Sequence, residues 1–158
     1  MGRTDIHCVL VGGGPHQEAV KAFARDAGAS DLCTFTGRVS DEDLCRVLSS
    51  ADLAVDPDPK TPWSDQSTMN KIMEYMFFGL PIVGFALTEN QVSAGRAMLT
   101  VENNDPAELA RGIATLLDAP ALRLAMCQAG QERLRTQLAW GHSVPHLLAA
   151  YKVALATS

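Results

Sequence analysis

Residues 65–85, a polar loop, a helix, a tight turn and a strand, restrict the fold of this chain more than any other stretch. Met69, Ile72, Met73, Met76 and Phe77 recur at helical spacing and form one apolar stripe. Gly79 supplies a residue able to take the left-handed conformation that ends a helix, and Pro81 keeps the helix from continuing. Residues 81–85, Pro-Ile-Val-Gly-Phe, are then an unbroken apolar run. Such a run is expected of a strand buried on both faces of a parallel sheet, and a parallel sheet needs crossover helices to cover it. Ser67, Asn70, Lys71 and Glu74 share another face of the same helix, and that face is wholly polar. It is either a solvated surface or a loop and helix N-terminus turned towards an anionic ligand.

The rest of the chain repeats the alternation. Apolar runs at residues 6–12, 32–35, 51–55 and 97–101 read as further strands. A helix with Ala19, Val20, Phe23, Ala24 and Ala27 on one stripe follows the first run, and Gly28 stops it. Ser40 caps a second helix whose first turn holds Asp41, Glu42 and Asp43, so these acids read as capping and not as a metal site. Asp105 and Pro106 open a helix, Pro120 opens another, and Ser143 with Pro145 starts the last. This order predicts a Rossmann-like, three-layer parallel sheet of about five strands with helices on both faces. Ligands of such sheets bind beyond the carboxyl ends of the strands. Those ends carry the loops at residues 12–15, 37–39 and 56–59, and the loop into the central helix.

Composition excludes several classes. The chain has 158 residues, one domain's worth, with 47% hydrophobic and 20% charged residues, which is globular and not disordered. A net charge of −5 without a basic cluster argues against nucleic acid and anionic membrane as partners. No apolar run reaches the roughly 20 residues of a membrane span. Cys8, Cys33, Cys45 and Cys127 have no metal-type spacing and are expected as buried or half-buried thiols in a reducing cytoplasm. His7 lies within a strand, and His16, His142 and His146 have no evident acid or nucleophile partner. Neither a hydrolase triad nor a metal site is expected.

The residues 67–70, Ser67, Thr68, Met69 and Asn70, open the central helix, so their N–H groups and the positive end of the helix dipole suit a diphosphate without any basic side chain. Glu74 follows along the helix, where a carboxylate accepts hydrogen bonds from a ribose. Gly13 and Gly14, in a triple glycine after the first strand, allow close approach of a phosphate, or simply make a turn. Lys71 reads first as an ion-pair partner of Glu74 three residues on.

Taken together, STMNKIMEYMFFGLPIVGF, followed by Glu89 and by Ser93-Ala94-Gly95, resembles the nucleotide-sugar site of family 4 (group 1) glycosyltransferases, which have the GT-B fold. Glu74, Met76, Gly79, Pro81, Ile82 and Val83 match that family's phrase E-x-M-x-x-G-x-P-V-V. The family's first glutamate would lie at position 66, where this chain has Gln66 with Asp65 beside it. The resemblance runs from about residue 9 to about residue 129.

The resemblance implies the donor-binding half of a retaining enzyme that moves a sugar from a nucleotide diphosphate sugar to an acceptor. By that carry-over Arg38 and Val39 flank the base and Glu74 holds the ribose. Gly13, Gly14, Ser67, Thr68, Met69 and Asn70 hold the diphosphate, and Asp65 or Gln66 faces the donor sugar. No catalytic residue is assigned, and neither a metal nor a cofactor is implied beyond the donor itself. The chain is expected to be one donor-binding domain over residues 1–158. The N-terminal acceptor domain is expected to be missing, supplied in cis or in trans, and the isolated chain to be inactive. It is then a fragment, a split-gene product or a truncated form, located in the cytoplasm. A central strand of the family's sheet is expected to be missing too. Either residues 6–11 then pair directly with residues 53–55 in a rearranged five-strand sheet, or a homodimer covers the open edge. The alternative is a catalytically idle α/β subunit or interaction module.

Overall fold

The computed structural model describes residues 3–156. The chain divides into two compact units, one ending at Ser50 and the other beginning at Ala51.

The first unit runs β1 (Cys8–Val11), α1 (Gln17–Asp26), β2 (Cys33–Gly37) and α2 (Asp41–Ser50). β1 and β2 are parallel, with Cys8 opposite Cys33 and Leu10 opposite Phe35. Gly28, at φ +67°, ends α1 as expected. The N–H of Gly28 bonds Arg25 O and that of Ala29 bonds Ala24 O, closing the last turn. Ser40 caps α2, its Oγ accepting from the Asp43 N–H at 3.1 Å.

The second unit runs β3 (Ala54–Asp56), α3 (Asn70–Phe77), β4 (Ile82–Phe85), α4 (Thr88–Ala94), β5 (Met98–Val101), α5 (Pro106–Leu117), α6 (Pro120–Arg133) and α7 (Trp140–Ala156). β4 is the middle strand, parallel to β3 on one side and β5 on the other, and all four of its residues are buried. That is the both-faces-covered strand the apolar run requires. Gly79, at φ +70°, closes α3: its N–H bonds Met76 O, and the Leu80 N–H bonds Tyr75 O. A Cβ at Gly79 would lie 2.9 Å from Cys127 Sγ on α6, so the glycine also admits that helix. Ile72 and Met76 of α3 are fully buried, and Val83, Leu116 and Met126 form a core cluster joining β4, α5 and α6. Asp105 caps α5 by accepting from the Ala107 N–H.

Three expectations need correction. β1 pairs with β2 and not with β3, so the five strands form a two-stranded and a three-stranded sheet among the described residues. Each ladder joins strands linked by a single helical crossover, and the step from β2 to β3 makes no ladder. α7 begins at Trp140, earlier than Ser143, and Pro145 lies inside it. Cys8 and Cys45 are exposed, whereas Cys33 and Cys127 are half-buried; all four are free thiols.

Candidate functional site

The second unit gathers a polar web at the carboxyl end of β3 and β4. Its root is Asp56, the last residue of β3, whose side chain is fully buried. Burying a carboxylate is unfavourable unless it is paired and hydrogen-bonded. Two groups meet it. Lys71 Nζ, from the first turn of α3, lies 2.9 Å from Asp56 Oδ1, and Asn90 Nδ2, from α4, donates to Asp56 Oδ2. Lys71 also donates to Asp58 Oδ2 at 2.5 Å. Burial pushes the Lys71 ammonium down, but the contacts with Asp56 and Asp58 outweigh it and hold the group above its ordinary value. The expected pairing of Lys71 with Glu74 is therefore corrected. Two aspartates at the end of β3 hold this lysine, because they offer partly desolvated charge and Glu74 is exposed.

The loop from β3 to α3 is long but tied down. Ser64 Oγ donates to Pro59 O at 2.6 Å and accepts from the Thr61 N–H at 2.9 Å. Lys60 Nζ donates to Ala86 O at 3.0 Å and pairs with Asp65 at 3.3 Å. The side chain of Asn104, a residue at φ +50°, accepts from the Lys60 N–H and donates to Lys60 O. Asp65 Oδ1 accepts from the Thr88 N–H at 2.7 Å. That bond, with the help of Lys60, holds the Asp65 carboxyl below its ordinary value.

At the mouth of the web, Thr68 Oγ1 donates to Glu89 Oε2 at 3.1 Å. Ser67 Oγ donates to Trp63 O, fixing the start of the segment. Met69 precedes α3 in an extended conformation, and no side chain caps the helix. An uncapped helix start leaves backbone N–H groups directed along the axis, together with the positive end of the dipole.

Of the residues expected at the site, Asp65, Gln66, Ser67, Thr68, Met69, Asn70 and Glu74 all belong to this one unit and flank the start of α3. Gly13 and Gly14 lie in the turn after β1 and are exposed; Gly14 O accepts from the Gln17 N–H at 3.1 Å. Arg38, exposed, and Val39, half-buried, follow β2. These four belong to the first unit. Glu74 borders a groove of about 660 Å³ walled mainly by Met73, Phe77, Phe78, Leu134 and Leu138. Glu74 is the one expected site residue that lines it. The polar web marks the chemistry better, because a ligand's orientation is set by a few placed polar groups. Sequence reasoning missed Asp56, Lys60, Asn90 and Asn104 as structural partners of the loop. Only the loop's length and its acid-rich start hinted at them.

Among the described residues no three His, Cys, Asp or Glu side chains are grouped to hold a metal, and no helix is long and apolar enough to cross a membrane.

Residues 2–119 match the family described as "Glycosyl transferases group 1". The chain is 27% identical over 150 residues to the 2-deoxystreptamine glucosyltransferase of Streptomyces kanamyceticus, covering 94% of this chain and 38% of that protein. It is 28% identical over 136 residues to a GDP-mannose-dependent alpha-(1-6)-phosphatidylinositol monomannoside mannosyltransferase of Mycobacterium tuberculosis, covering 84% of this chain and 35% of that protein. A glycosyltransferase structure from Rickettsia africae superposes with a TM-score of 0.83 at 15% identity, over 98% of this chain and 41% of that one. Sucrose-phosphate synthase from Thermosynechococcus elongatus superposes with a TM-score of 0.77 at 23% identity, over 95% of this chain and 39% of that one. At these identities the two structures speak for the fold alone, an α/β fold of parallel strands with helices on both sides. The chain spans under two fifths of the length of these two curated relatives.

Proposed function

Since the chain belongs to the group 1 glycosyl transferases, we propose that it is the donor-binding part of a retaining enzyme that takes a sugar from a nucleotide diphosphate sugar. The observation that carries this reading is the uncapped start of α3 behind a braced loop. A diphosphate placed there meets the N–H groups at the uncapped start of α3 and the positive end of the dipole without needing a basic side chain. Ser67, Thr68, Met69 and Asn70 bind the diphosphate in this scheme; in the first unit, Gly13 and Gly14 allow close approach of a phosphate. Asp65 or Gln66 faces the sugar. Glu74, exposed and beside an apolar wall, accepts from the ribose, and Arg38 and Val39 flank the base.

The donor site mainly stabilises the departing diphosphate, so the reading assigns no protein nucleophile. An acceptor domain, in cis or in trans, completes the enzyme, and the 158 residues form one donor-binding domain. Four free thiols support a cytoplasmic location. A homodimer that covers the edge of β1 or β3 belongs to the same proposal. The second reading, an idle interaction module, draws on α7. That helix buries none of its residues and exposes Leu148, Tyr151, Val153 and Leu155.

The test is a titration of the labelled chain with UDP and with GDP, followed by amide chemical shifts. Shifts at residues 67–70, Gly13 and Gly14 are expected, with weak affinity. Absence of shifts there at millimolar nucleotide removes the donor reading and leaves the interaction module. Glu74→Ala should weaken nucleotide binding without a matching loss of stability. The isolated chain should transfer no sugar to any acceptor.

A further inference from the structure

Asp56 is the fully buried acid of the second unit, and the proposed chemistry does not use it. Its surroundings are built for it. Its partner across the ladder is Gly84 of β4, and a Cβ at that glycine would lie 2.6 Å from Asp56 O and 3.0 Å from Asp56 Cβ. The middle strand is thus without a side chain where the aspartate needs room.

Two elements converge on the carboxylate. Lys71 reaches it from the first turn of α3, one residue after Asn70. Asn90 reaches it from α4, one residue after Glu89. At the mouth Thr68, three residues before Lys71, donates to Glu89, the residue before Asn90. A lysine in the first turn of a helix opposes the dipole, so propensity does not account for its place. Asp56 and Asp58 together neutralise it.

We infer that Asp56 is a positioning residue of the donor site, fixing through Lys71 and Asn90 the spacing between the start of α3 and α4 across which Thr68 and Glu89 meet. The inference rests on the donor-site reading for its functional meaning. Its geometric content is independent of any ligand. Lys71 is shared with Asp58, Asp56 Oδ1 meets it as an ion pair and has no hydrogen-bond partner among the described residues, and Asn90 Oδ1 is likewise buried without one. An Asp56→Asn change therefore removes the carboxylate charge from Lys71 and sets an NH2 donor against either the Lys71 ammonium or the donating amide of Asn90.

The experiment compares Lys71→Met, Asp58→Asn and Met126→Ala in the full 158-residue chain. Met126 lies in the core cluster with Val83 and Leu116, so its truncation lowers stability without touching the web. Asp58→Asn is the mild variant that keeps the chain folded if Lys71→Met does not. The readouts are the ligand-free amide shifts of Thr68, Asn70 and Glu89, and the Kd for UDP and GDP.

Lys71→Met is expected to move those three amides and weaken nucleotide binding about tenfold. Asp58→Asn should do the same to a smaller extent, and Met126→Ala should leave shifts and Kd unchanged at comparable loss of stability. Unmoved amides in both web variants overturn the inference. So does an effect of Met126→Ala on Kd as large as theirs. If the parent chain binds neither nucleotide while the amides move in the web variants alone, the positioning stands and the donor reading falls.

Discussion

The two units carry similar apolar segments and bury them very differently. In the first, Val9, Val11 and Val20 remain exposed and Phe23 is 75% exposed, while Ala24 and Leu48 are the buried apolar residues. In the second, Ile72, Met76, Ile82, Val83, Leu87 and Leu116 have no accessible surface. Periodicity alone does not separate them: the stripe on α1 is as regular as that on α3. The difference is the neighbours. β4 lies between two parallel strands and under α5, where Gly112 brings the helix within reach of Val83 and Val101. β1 has one ladder, to β2. An apolar stripe gives a unit a place to be covered; only a covering element turns it into stability.

The largest expected effect sharpens that contrast. Met76→Ala should cost about 2–5 kcal/mol, since its cavity opens beside Gly130 and the packed face of α6. Phe23→Ala should stay near 0.5 kcal/mol. Denaturant unfolding of both variants checks the pair, and equal losses would break the distinction between the units. Next comes Gly84→Ala, whose Cβ would meet Met98 Cε at 2.5 Å and Asp56 O at 2.6 Å. A loss of about 1–3 kcal/mol by thermal melting is expected for such overpacking. Hydrogen exchange follows: the amides of β4 should be the slowest, and those of β1, with a ladder on one side alone among the described residues, much faster. Protection of β1 equal to that of β4 would mean that something covers the β1 edge in solution.

The smallest effects are those of pH. The folded Lys71 has a pKa above its ordinary 10.5, so the pairing stabilises fully below that pH and is lost as pH rises through the folded value. Asp65 lies below its ordinary 3.8, so its contribution is present above that pH and lost as pH falls through the folded value. In Lys71→Met the alkaline loss should shrink, as read by melting temperature against pH.

Much of this was legible in the sequence. Strand order, helix order, the stops at Gly28 and Gly79 and the caps at Ser40 and Asp105 follow from local rules that need no partner element. The polar start of α3 was legible for the same reason. Partnerships across the chain were not. Lys71 has an acid three residues away at Glu74 and chooses acids 13 and 15 residues away, because those are the ones the end of β3 brings beneath it. Strand pairing failed likewise: nothing in the run at residues 6–12 says which neighbour it takes. The direct pairing of residues 6–11 with residues 53–55, expected from closing the gap of a missing strand, is not among the ladders, which join β1 to β2 and β3 to β4.

The loop between β3 and α3 resists cleavage where its sequence invites it. It is the longest irregular stretch before α3 and exposes Trp63, which makes it look like an obvious target for trypsin at Lys60. A protease must draw several residues into an extended form in its cleft. Here Asn104 grips both the N–H and the carbonyl of Lys60, while the lysine's own ammonium is spent on Ala86 O and Asp65. The peptide bond after Lys60 is thus clamped on the side where cleavage would begin. Limited digestion should spare it and cut first at sites such as the one after Arg38, whose exposed side chain follows the short sheet of the first unit.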